Sequence, residues 1–200
     1  MSTAKLIRWS GLMSILAGVL YALAALLHPA GEDVTAILSS TWVPAHALGG
    51  ISAVFMLLGL VGLYARQAEK AGWLGLIGFV LAFIGSALLG AEEFQAAGLM
   101  PFVAAKAPNL IDEAATLAGP LLVFLLVFLA SFVLGFILFG IAAMRVGVLP
   151  RWSGLLLIIG VVLSFGDMLS HVIGIIAAVV FGLGLAWMGY ALWSGKAETT

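Results

Sequence analysis

The chain has no cysteine, which excludes disulfides, thiolate metal sites, covalently attached haem and a cysteine nucleophile. Charge is almost as scarce. Only 8% of the 200 residues are Asp, Glu, Lys or Arg, against about 25% in a soluble domain. A net charge of −1 gives no basic footprint for nucleic acid. No G-x-G-x-x-G or Walker pattern stands between a strand and a helix, and no G-x-S-x-G elbow is present. These gaps leave no catalytic residue set to name, and an enzyme is the less expected outcome.

Apolar residues make up 64% of the chain. One aqueous shell could not hide that much apolar surface, so the expected solvent is a bilayer. A spanning helix needs about 20 mostly apolar residues. Six segments meet this at 6–27, 44–64, 73–91, 117–144, 152–169 and 172–193. The expected fold is all-α, a polytopic six-helix transmembrane bundle forming a single domain over 1–200. The first run follows Lys5 and Arg8, as in a signal peptide, but no small-residue cleavage site follows it, so it reads as a spanning helix.

Charge sorts by side. Lys5, Arg8, Arg66, Lys70, Arg145, Arg151 and Lys196 fall at one set of helix ends, and only Lys106 at the other. Glu32, Asp33, Glu92, Glu93, Asp112, Glu113 and Asp167 fall with Lys106, whereas Glu69 and Glu198 fall with the cations. Short positive loops stay cytoplasmic. The expectation is a multi-pass protein of the bacterial inner membrane with both termini inside.

Small residues supply the helix contacts that lipid does not drive. Ser14 and Gly18 form one such pair, and Ala82, Ser86 and Gly90 form a stripe. The 25 glycines read as packing rather than as phosphate loops. Trp42, Trp187, Trp193 and the phenylalanines read as belt and lipid-facing residues.

Arg-Trp-Ser-Gly-Leu occurs at 8–12 and again at 151–155, with a weaker copy at Trp73-Leu74-Gly75-Leu76. Each opens an outward helix, which predicts three hairpins of like orientation. Nineteen residues beyond Trp9, Trp73 and Trp152 stand His28, Glu92 and His171, a rise of about 28 Å in a helix. The first helix ends at His28-Pro29, and His46 lies just after Pro44, a residue suited to a first helical turn. Asp167 lies four before His171 and, by this count, deepest of the outer acids. His28, His46, Glu92, Asp167 and His171 are therefore the candidate ligand-binding residues.

Their chemistry leaves several readings open. The leading one is a binding or transport protein with a small-ligand or ion site at the outer end. A second is an accessory subunit of a larger membrane complex, holding haem or a pigment through a histidine. A third is a metal-dependent intramembrane hydrolase, although no compact histidine motif for a divalent metal occurs. The plainest is capping and solvated loop chemistry. Expected partners are the lipid bilayer and a second membrane protein or another copy of the chain. The long outer loops, 29–43 and 93–116, suit a lid or a short interfacial helix around Leu99-Met100-Pro101-Phe102-Val103.

Trp-Ser-Gly-Leu, the helix ending His28-Pro29, then Trp42, Ala45-His46 and the run Gly59-Leu60-Val61-Gly62-Leu63-Tyr64 resemble small bacterial inner-membrane proteins, a group with no activity to carry over. The six-helix layout is also similar to the substrate-binding subunits of energy-coupling-factor vitamin transporters. That likeness implies a ligand near the outer face and no particular substrate.

Overall fold

The structure is a computed structural model describing residues 2–114 and 119–195, with backbone alone at 112–114. The side chains of Asp112 and Glu113, the expected start of the fourth span at 117, and all of Lys196 and Glu198 lie outside the described residues. The described residues are helical and contain no strand.

Five helices are long and apolar enough to cross a membrane. The first is α1, Thr3–Leu27, opened by Ser2, whose hydroxyl accepts from the Lys5 amide. Two short helices and one very long one follow: α2 (Val34–Ile37), α3 (Trp42–Gly98) and α4 (Met100–Lys106). Then come α5 (Asn109–Ala114), α6 (Pro120–Val146), α7 (Arg151–Leu163), a 3-10 turn (Ser164–Met168) and α8 (His171–Trp193).

The expected second and third spans are both present as helical arms that run into each other without an intervening loop. They form one element, α3, bent at Gly72 with φ 56° and ψ −160°. Only glycine takes that backbone without strain, so one residue replaces a loop. Residues 42–71 and 73–98 then lie antiparallel. Gly90 approaches Ala53, and Tyr64 stacks on Phe79 with centroids 4.5 Å apart. The expected fifth span, 152–169, is met at Arg151–Met168, but its outer end differs in kind: α7 stops at Leu163 and the chain tightens into the 3-10 turn.

Backbone contacts fix the order of the arms. Gly59 and Gly62 of α3 meet Ser14 and Ser10 of α1, and Gly11 and Gly18 of α1 meet Gly189 and Gly182 of α8. Gly160 of α7 meets Phe181 of α8, and Gly154 meets Gly140 of α6. Gly78 and Gly85 of α3 meet Phe139 and Phe132 of α6. The circuit closes, and every neighbour is antiparallel. Serines reinforce it: Ser14 donates to the Leu185 carbonyl at 2.8 Å and Ser52 to the Ala17 carbonyl at 2.9 Å.

The phenylalanine expectation fails at the centre. Phe136, Phe139 and Phe181 are buried, with Phe136 edge-on to Phe181 at 4.8 Å. Glycines on the flanking helices let these rings enter the interior, where lipid cannot reach them. By the same register, Trp9, Trp73 and Trp152 share one end, exposed, with Lys5, Arg8, Arg66 and Arg151 (the basic end). The three histidines share the other.

A β-carbon on Gly18 would collide with the Gly182 carbonyl, whereas one on Gly98 meets nothing. Overpacking of this kind costs about 1–3 kcal/mol. We expect Gly18→Val to lower the unfolding temperature in detergent clearly and Gly98→Ala to leave it within error. Equal temperatures for the two variants would show that the α1–α8 contact is not tight.

Candidate functional site

His28, His46 and His171 lie on three different helices or helix ends, yet they meet. His28 follows the last turn of α1, where Pro29 can no longer supply an amide proton. His46 lies in the first turns of α3, behind Pro44. His171 opens α8 after Ser170, whose extended backbone breaks the chain direction. The His28 ring is 4.9 Å from that of His46 and 6.0 Å from that of His171.

Each imidazole points one nitrogen at a group that can only accept. His46 Nδ1 lies 2.8 Å from Glu93 Oε2. His28 Nδ1 lies 2.8 Å from the Pro29 carbonyl, and His171 Nε2 lies 3.1 Å from the His28 carbonyl. An ionised carboxylate or a carbonyl has no proton to give. The nitrogen facing it therefore carries the hydrogen, and in a neutral ring the other nitrogen is a bare lone pair. His46 Nε2, His28 Nε2 and His171 Nδ1 are thus the basic atoms of the cluster. His46 Nε2 is fully buried and has no hydrogen-bond partner.

Glu93 is the carboxylate that the sequence reading passed over in favour of Glu92. It pairs with His46 at side-chain exposures of 15% and 8%. Gly49 makes the approach possible, because a β-carbon there would strike the Glu93 carboxylate. Glu92 is half-buried and feels the charges of Glu93 and His46 without touching the ring. A helix advances about 100° per residue, so 92 and 93 cannot both face His46. The signal that could have chosen between them was Gly49, the small residue opposite.

Asp167 departs further from expectation. It lies on the exposed 3-10 turn rather than deep in the bundle, and its side chain is 57% exposed. It reaches His171 Nδ1 at 3.6 Å across the chain break, not along a shared helix face. Two acceptors oppose each other there while His171 is neutral, so the contact becomes attractive only when that ring gains a proton.

Trp42 was expected in the lipid belt but is 3% exposed. Its indole N–H donates to the Ala96 carbonyl at 2.9 Å, and its ring lies 4.2 Å from His46 and 5.4 Å from His28. It anchors a second small core with Ala36, Ile37, Ala96, Ala104 and Ile111. The outer loops thus hold short helices, α2, α4 and α5, that pack together beside the cluster.

His28 meets His46 edge to face and His171 at a tilt. Among the described residues, no group of three His, Asp or Glu is placed to hold a metal ion. The metal-hydrolase reading therefore has no ligand set here. Comparison with protein-family models, curated proteins and solved structures found no match.

Burial and the neighbouring His46 hold the His28 ring below its ordinary pKa. The folded protein thus resists protonating it, while the unfolded chain protonates it near the usual histidine value of about 6.5. Stability should fall as pH drops through that value towards the lower folded one. His28→Gln should flatten the fall in unfolding temperature between about pH 7 and pH 5. Identical pH profiles for the two proteins would remove His28 as the group responsible.

Proposed function

We propose that this chain is an integral membrane protein that binds or transports a small ligand or ion at its histidine end. The reading rests on one observation: His46 Nε2, a basic nitrogen, is buried and unpartnered while Nδ1 is held by Glu93. A carboxylate behind an imidazole fixes its tautomer and orientation. Leaving a buried polar atom unsatisfied costs about 1–3 kcal/mol. A ligand that donates a hydrogen bond, or a cation, recovers that cost on binding. His28, edge-on beside it, and Trp42 would line the same place.

The bend at Gly72 supports six crossings, because each arm of α3 is about 40 Å long at the helical rise of 1.5 Å per residue. The sorting of cations to the basic end supports a bacterial inner-membrane location with both termini cytoplasmic. The histidine site would then face outward, where solutes arrive.

His46→Gln tests the site. Glutamine can still donate to Glu93 but carries no basic nitrogen. We expect native mass spectrometry of the protein in mild detergent to show a discrete added mass. His46→Gln and Glu93→Gln should each lose it while eluting as folded, monodisperse protein. Absorbance of the same samples would identify haem or a pigment. A wild-type protein with no added mass, or variants that keep it, would overturn the reading.

A further inference from the structure

The histidine end commits its ring N–H groups internally. Trp42 donates to the Ala96 carbonyl at 2.9 Å and His28 to the Pro29 carbonyl at 2.8 Å. His46 donates to Glu93 at 2.8 Å and His171 to the His28 carbonyl at 3.1 Å. What is left over accepts. His46 Nε2 is enclosed and has no partner, and an imidazole nitrogen without a hydrogen can only accept. His28, whose ring lies 4.9 Å away, carries a second bare lone pair. Glu92, half-buried and close enough to feel the charges of Glu93 and His46, makes no hydrogen bond among the described residues.

Charge points the same way. Glu32 and Glu93 act on His28, and both also act on Glu92. The one Lys or Arg that the sequence places at this end is Lys106, exposed on α4. Residues 112–118 add Asp112 and Glu113 and no cation. The Trp42 ring stands beside the acceptors, 4.2 Å from His46 and 5.4 Å from His28. An indole face attracts a cation through its quadrupole. A phosphate or carboxylate, which must accept, finds no ring N–H free. A bare metal ion needs several ligands around one point, and no three His, Asp or Glu are so placed among the described residues. What fits is a positive charge that carries N–H hydrogens.

We propose, resting on the reading of this end as a ligand site, that the ligand is an ammonium ion or a small protonated amine. Its N–H donates to His46 Nε2, a charge-assisted hydrogen bond stronger than a neutral one. Glu93 and Glu92 balance its charge, and Trp42 covers it. His46 Nε2 has no open surface, so the ligand is small, and the half-buried His28 ring gives way to admit it. The amine of a phospholipid would bring a phosphate with it, for which these rings keep no donor.

Calorimetric titration of the protein in mild detergent tests it, with methylammonium, potassium and tetramethylammonium chloride added separately. The measurement is made at about pH 7.5, where an ordinary imidazole is neutral. All three cations carry one charge, and only methylammonium has N–H groups. We expect methylammonium to bind at least about ten-fold more tightly than either, as one hydrogen bond to a charged group allows. His46→Gln should weaken methylammonium about ten-fold by the same reasoning. Glu92→Gln, which breaks no hydrogen bond, should weaken it several-fold and keeps the test open should His46→Gln fail to fold. Equal affinity for methylammonium and potassium, or affinity untouched by both variants, would overturn the proposal. An added mass that His46→Gln removes, together with no methylammonium binding, would overturn the ammonium assignment and leave the ligand site standing. No methylammonium binding and no added mass would overturn both.

Discussion

Lipid tails are as apolar as leucine, so burying one apolar helix face against another gains little in a bilayer. What remains is contact distance, since dispersion attraction is useful only when backbones come close. The whole bundle depends on this constraint. Gly18 and Gly182 bring α1 and α8 together at the level of their carbonyls, and Gly140 and Gly154 do the same for α6 and α7. A β-carbon on either of the last two would stand 2.7 Å from the other's carbonyl oxygen. Each such contact fixes both the separation and the rotation of a helix pair, and the circuit of neighbours closes with little slack.

The same rule shapes the polar end. A carboxylate near hydrocarbon is expensive unless it is paired and hydrogen-bonded. Glu93 reaches His46 because Gly49 leaves room for its oxygens against the backbone of α3. Trp42 then seats the short outer helices beside the pair, with its N–H satisfied by Ala96. Small residues thus serve packing in the middle of the bundle and polar burial at its end. The three histidines meet because the helices carrying them are locked in rotation farther down.

Hydropathy made depth legible in the sequence. It placed the apolar segments, put all three histidines at one end and sorted the cations other than Lys106 to the other. It carried little about azimuth. Choosing Glu93 over Glu92 required the rotation of α3 relative to itself across Gly72. Trp42 and the central phenylalanines look the same by composition whether they face lipid or protein, and for Phe132, Phe139 and Phe181 the glycines opposite them decide. Asp167 counts as deep only if 152–169 is one regular helix, whereas the chain leaves α7 at Leu163 for an exposed 3-10 turn. The turn between the second and third spans is legible in the sequence, but not that Gly72 makes it alone, since a single positive-φ residue needs no loop composition.

His46 Nε2 differs from most other polar atoms of the interior. The hydroxyls of Ser14, Ser52, Ser86, Ser131 and Ser153 all donate to carbonyls, most of them within or between helices that need the bond for packing. The amide of Gln67 is also buried without a partner, but an amide neither titrates nor offers a basic lone pair. Among the described residues, His46 Nε2 is the unsatisfied buried atom that has a carboxylate behind its ring and a second imidazole, His28, in contact with it. If packing alone had shaped this position, an apolar residue of similar size would serve it without the cost of desolvating Glu93. On the proposed reading, that cost is recovered when a ligand hydrogen-bonds to Nε2.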